Sequence, residues 1–195
     1  MALQLVDAPA DLFIDLATVK AHLRIDHDAH DDLLELLIAA ETAYAEKFTG
    51  LALALQTWDY YQDAFPAEAD PQIIRLPLGR VTDIDAVYYL DASGTEQTLD
   101  AALYDIDLAG IPARVALASS ATWPPTYDGV NAVRVRFTAG VDTGISPNSA
   151  EEMKDIQLAI MLRVQAGYDG GDRAQALLDA SEIYLKRRRV IVSFA

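Results

Sequence analysis

Three histidines and four aspartates fall within eleven positions: His22, Asp26, His27, Asp28, His30, Asp31 and Asp32. Imidazole and carboxylate suit zinc or manganese. The spacing is not that of an H-E-x-x-H helix, and the Gly and terminal Glu of an EF-hand loop are missing. A polar turn between two helices, with aspartates as N-caps, explains the same residues and is the reading adopted here. No metal or cofactor is expected. Nucleophilic chemistry has less support: the chain has no Cys and no G-x-S-x-G, and its three His lie within nine positions. Gly167, Gly170 and Gly171 lack the pattern that cradles a phosphate. No two carboxylates are singled out as an acid–base pair, so an enzyme is not expected.

The other chemically pointed stretch is the C-terminus. Lys186, Arg187, Arg188 and Arg189 run directly into Val190, Ile191, Val192, Ser193 and Phe194. Positive charge suits the C-terminal end of a helix dipole, which explains the basic run as a solvated helix end. Strand-forming residues after it suggest a docking arm that adds a strand to a partner's sheet edge. Both readings are open from the residues alone. Trp58, Tyr60, Tyr61, Tyr88, Tyr89, Trp123 and Tyr127 lack tightly interleaved basic residues, so they are expected in the core or at junctions rather than stacking on bases.

Charge narrows the partners further. The net charge is −15, and residues 1–70 hold fourteen Asp and Glu against three Lys and Arg. Gripping duplex DNA needs clustered bases, so tight binding is not expected. The acid is either a solubilising surface or a wall that repels passing DNA. Apolar content of 52% over 195 residues supports a folded core. Residues 1–20 do not read as a signal peptide, and no apolar run approaches the ~18 residues of a membrane span.

The elements carrying these residues follow from periodicity. Asp15 can cap a short helix through Leu23, and Asp31 or Asp32 opens a longer one stopped by Gly50. In the longer helix Leu33, Leu37, Ala40, Tyr44 and Phe48 are read as the inward stripe, widened by Leu34, Ile38 and Ala45. Together the two form an αα-hairpin over residues 15–50. From 53 to 140 the period becomes alternating. Val133, Val135 and Phe137 alternate with Arg134 and Arg136, Ile84, Ala86 and Tyr88 behave similarly, and Asp91-Ala92-Ser93-Gly94 makes a hairpin turn. After the loop Asp142–Ser146, Pro147 starts a helix with Glu151 and Glu152 near its N-terminal dipole. Met153, Ile156, Ile160 and Val164 form one apolar side, Leu158 and Leu162 another. Gly167–Gly171 ends it, and a last helix runs from about Arg173 to Arg187. The expected fold is α+β: one mainly helical domain over 1–195, with helices at 15–50 and 147–187, an inserted antiparallel β subdomain at 53–140, and a tail at 188–195.

Several of these blocks, in this order, resemble one family. VKAHLRIDHDAHDDLLELLIAAETAYAEKFTG (Val19–Gly50) is the most telling. Gln56-Thr57-Trp58, IIRLPLGRVTDIDAVYYLDASGTEQTL, YDIDLAG, Trp123-Pro124 and VRVRFTAGV follow. Over Val19 to Tyr168 the chain is similar to the head–tail connector (adaptor) proteins of long-tailed phages and gene transfer agent particles.

The resemblance implies a virion structural protein at the head–tail junction, made in a host cytoplasm. It implies a ring, typically dodecameric, that sits under the portal protein, extends the DNA channel and seats a tail-side stopper. In that family C-terminal segments reach into the portal, so Lys186, Arg187, Arg188, Arg189, Val190, Ile191, Val192 and Phe194 are the expected portal-docking residues. A phage assembly chaperone or binding module that never enters the particle is the alternative, and a small hydrolase with an unrecognised site is a third reading.

Overall fold

Asp15 sets the first helix: its side chain accepts the Thr18 backbone N–H at 2.7 Å, as an N-cap should. This computed structural model describes residues 1–66, 72–141 and 147–190, with 147–152 described by their helical backbone alone. The chain divides into two units, Pro9–Ala54 with Val141–Ile191, and Met1–Ala8 with Leu55–Gly140. The loop expected at Asp142–Ser146 lies outside the described residues, as do the side chains of Glu151 and Glu152.

The first unit is helical. Helices α1 (Leu16–Leu23) and α2 (Asp31–Thr49) form the hairpin, and α3 (Pro147–Asp169) and α4 (Ala174–Arg188) follow. α1 closes on Arg24 in the left-handed conformation (φ 59°), where no glycine signals it. α2 closes on Gly50 (φ 73°), whose N–H reaches the Glu46 carbonyl at 2.8 Å. Between α3 and α4 the chain reverses through Gly170 and Gly171, both at positive φ. α3 is central, packing against both α2 and α4. Its Met153, Ile156, Ile160 and Val164 join Val19, Leu34, Ile38, Leu53 and Leu185 in one core.

The phase of α2 corrects the expectation. Leu34, Ile38 and Ala45 are the buried stripe, with Leu37, Tyr44 and Phe48 at its margin. Leu33 and Ala40 face outward, and so does Leu36. The helix carries apolar residues on two sides, and periodicity alone does not say which one is buried.

The second unit is built from strands. β1 (Ala2–Asp7), β2 (Gln56–Gln62), β4 (Val81–Leu90), β5 (Glu96–Thr98) and β8 (Val133–Ala139) make an antiparallel sheet in the order β1-β2-β8-β4-β5. A smaller sheet pairs β3 (Ile73–Arg75), β7 (Arg114–Leu117) and β6 (Tyr104–Asp107). The alternation read in β8 is borne out: Val133, Val135 and Phe137 are buried while Arg134 and Arg136 stand on the opposite face. β4 differs from the reading. Its register against β8 shifts between Ile84 and Ala86. Ile84 therefore shares the buried side with Val87, while Ala86 and Tyr88 lie opposite Arg136 and Arg134. No local pattern signals β1, because its partner β2 lies fifty or more residues away. An α+β fold is the outcome.

Candidate functional site

α4 brings the basic run to one end of the helical unit. Ser181 and Leu185 are buried, which fixes the rotation of the helix. With that face inward, the four bases acquire intramolecular neighbours. Lys186 pairs with Glu182 one turn back at 3.0 Å, on the surface. Arg187 lies 5.6 Å from the centre of the Tyr184 ring. Arg188 reaches Asp155 of α3 at 3.1 Å, and Arg189 sits 5.6 Å from the ring of Phe48 on α2.

Val190 is anchored by its backbone. Its N–H donates to the Thr49 carbonyl at 2.7 Å, satisfying one of the acceptors left over at the end of α2. The approach is close. A β-carbon added at Gly50 would meet the Val190 oxygen at 3.0 Å, and Gly50 already needs its positive φ. Thr49 is itself buried, its hydroxyl donating to the Ala45 carbonyl at 2.7 Å. Val190 is thus tied into the helical unit. Ile191, Val192 and Phe194 lie outside the described residues.

The histidine–aspartate cluster does not converge. Lys20 lies between Asp28 and Asp31, at 2.6 and 2.7 Å. The Asp28 hydrogen bond, then the Asp31 one, raises the lysine pKa, and Lys20 in turn lowers that of Asp28. This ion pair pins the turn of the hairpin. His22 faces Gln165 at 3.2 Å, and His30 meets the Tyr168 hydroxyl at 2.5 Å, both on α3. Among the described residues, no three His, Asp or Glu side chains come together as a metal site would require. The polar-turn reading places these residues correctly, although His30, rather than an aspartate, occupies the N-cap of α2 and makes no capping bond.

In the sheet unit the two β8 arginines are already engaged. Asp59, only 4% exposed, receives Arg136 through Nε and Nη2 at 2.8 Å and Arg134 through Nη1 at 3.0 Å. Arg134 also holds Glu96 at 2.9 Å and lies 4.0 Å over the Tyr88 ring. Burial pushes the Asp59 carboxyl up, but the two guanidiniums outweigh it and hold the pKa below the usual value. Among the aromatic residues, Tyr60 is buried, and Trp123 stacks on Phe65 at 4.5 Å beside Tyr89. These four pack within the unit rather than forming a stacking platform, whereas Tyr127, expected in the core or at a junction, is exposed.

Sequence reading missed the Thr49–Val190 anchor and the outward apolar side of α2. The second left a signal, two leucines out of phase with the buried stripe. The first left none, since a backbone bond has no side-chain signature.

Comparison with known proteins places this geometry. Residues 13–79, which contain the hairpin and β2, match the family described as Phage gp6-like head-tail connector protein. The resemblance read from the sequence is borne out there. No curated protein sequence matches. Solved structures match along the whole chain. A chain of the neck of a native gene transfer agent (GTA) particle computed with C12 symmetry is 26% identical, with a TM-score of 0.70 over 100% of this chain and 98% of that one. A chain of the neck of an empty GTA particle computed with C6 symmetry is 24% identical, covering 100% and 99%, with a TM-score of 0.73. A chain of the virion of a native GTA particle is 23% identical, covering 100% and 98%, with a TM-score of 0.77. The last two speak to the fold.

Proposed function

We propose that this chain, matched to head–tail connector proteins over residues 13–79, is a structural head–tail adaptor of a phage-like particle, resident at the head–tail junction. One observation carries the reading: the whole chain superposes on nearly all of a neck protein of a native GTA particle. A shared piece would support only a shared module. Likeness from end to end supports the same role.

The adaptor works as a ring of copies. Cyclic assembly needs a heterologous contact, one face of each copy matching a different face of the next. The ring, of dodecameric order, sits under the portal protein, extends the DNA channel and gives a tail-side stopper its seat. DNA passes without being held. The chain carries −15 overall, and Arg134 and Arg136 are neutralised by Asp59 and Glu96. No helix among the described residues is long and apolar enough to cross a membrane. The chain is not an enzyme on this reading, and it needs no metal or cofactor.

The portal-side contact is the C-terminal arm, Lys186–Arg189 with Val190, Ile191, Val192 and Phe194. Val190 ties the start of this segment to α2, and the helix-end bases exchange surface partners for acidic groups of the portal at little cost. Strand-forming residues beyond Val190 supply backbone hydrogen bonds, and Phe194 fills a pocket.

Deletion of the gene tests the reading. Heads should fill with DNA, or fill and leak, but carry no tails, and mass spectrometry should find the chain in wild-type particles. Normal tailed particles in its absence, with the chain confined to lysate, would favour the assembly chaperone instead.

A further inference from the structure

The outward side of α2 is an apolar strip without a neighbour in its own unit. Leu33 is 47% exposed and Leu36 67%, and Ala40 and Ala43 continue the strip toward Lys47 at three- and four-residue steps. Isolated exposed leucines are ordinary. Two on one helical face, followed by two small residues that permit close helix approach, make a packing surface. α4 offers a second strip. Ile183, 56% exposed, stands between Ala176 and Arg187 on the side away from buried Ser181 and Leu185.

We propose that α2 of one copy packs antiparallel on α4 of the next copy in the ring, with Leu36 against Ile183. The proposal rests on the adaptor-ring reading above. Charge chooses the occupant and the direction. With Leu36 opposite Ile183 and the helices antiparallel, Asp32 meets Arg187, Ala43 meets Ala176, and Lys47 meets Asp172 at the start of α4. All six are at the surface. Both ends of the contact then pair opposite charges, and the helix dipoles oppose. The parallel arrangement sets Asp32 against Asp179, like against like. Pairing α2 with α2 would give an isologous contact, which closes a dimer and builds no ring. The contact takes Arg187 from the basic run and leaves Lys186, Arg188, Arg189 and the residues from Val190 onward for the portal.

The chain has no cysteine, so a clean disulfide test is available. Particles carrying the double variant Leu36→Cys/Ile183→Cys should give, after mild oxidation, a ladder of covalent multimers that collapses on reduction. A bond within one copy would leave only monomer. Each single variant should stay monomeric. A monomer band from the double variant, with the chain present in the particles, overturns the contact while leaving the adaptor reading intact. A dimer from Leu36→Cys alone also overturns it, because the contact would be isologous. Absence of the wild-type chain from particles overturns the adaptor reading and this contact with it.

Discussion

Val190 gives its backbone N–H to the carbonyl of Thr49, at 2.7 Å, so the chain's last described residue is tied to the end of α2. That bond sets where a truncation separates the described fold from the residues proposed to dock.

Truncation after Val190 should leave the thermal transition nearly unchanged and abolish attachment to portal-bearing heads. Truncation after Leu185 should also remove the Arg188–Asp155 pair and the Thr49 anchor. The loss is about 1–2 kcal/mol, a Tm lower by roughly 2–8 °C. Calorimetry and a head-binding assay on both forms check this. Normal attachment by the shorter form would place the portal contact elsewhere.

The rotation of α2 is tested by two neighbouring leucines. Leu34→Ala removes a fully buried side chain and should cost about 2–5 kcal/mol. Leu36→Ala, at the surface of the isolated chain, should change stability by no more than ~0.5 kcal/mol. Urea unfolding of the two variants measures the difference, and equal losses would contradict the phase described here.

Much of this was legible from local chemistry. The Asp15 cap, the Gly50 stop, the β8 alternation and the Asp91–Gly94 turn each rest on residues within a few positions of one another. The turn shows why such signals work: hydrogen bonds from Ser93, Gln97 and Thr95 onto Asp91 hold its pKa down to about 2. What sequence did not disclose depended on distant partners. β1 is a strand because β2 lies beside it, and the two apolar sides of α2 are told apart only by where α3 packs. The Ile84–Ala86 shift places Asp85 of β4 as an extra residue against β8, and it shows only once the two strands are paired. For the candidate site, the basic run was visible, but its partners Asp155 and Phe48 were not.

Acid should act on the sheet unit through Asp59. Its pKa is lowered in the fold, so its stabilising contribution is complete above the unfolded value of ~3.9. That contribution is lost as pH falls through the lowered folded value. Asp59→Asn should flatten this acid dependence, and Asp59→Ala should cost about 3–5 kcal/mol by taking the buried carboxylate from Arg136 and leaving Arg134 with Glu96 alone. Unfolding followed between neutral pH and pH 2 checks both. An unchanged acid limb in Asp59→Asn would contradict the sign.

The isolated chain should not retain duplex DNA at ~150 mM salt, where the Debye length is ~8 Å. Raising salt should favour its self-association by screening the −15 charge. A gel-shift series and sedimentation at two ionic strengths measure these. Tight, sequence-independent binding would be incompatible with a channel through which DNA slides.

The central claim is that this chain is part of the particle neck, and electron cryo-microscopy of purified particles tests it most directly. The account predicts a ring of density between portal and tail into which the two sheets and four helices of the described residues can be traced copy by copy. A neck fully explained by other chains, with no density matching this one, would contradict it.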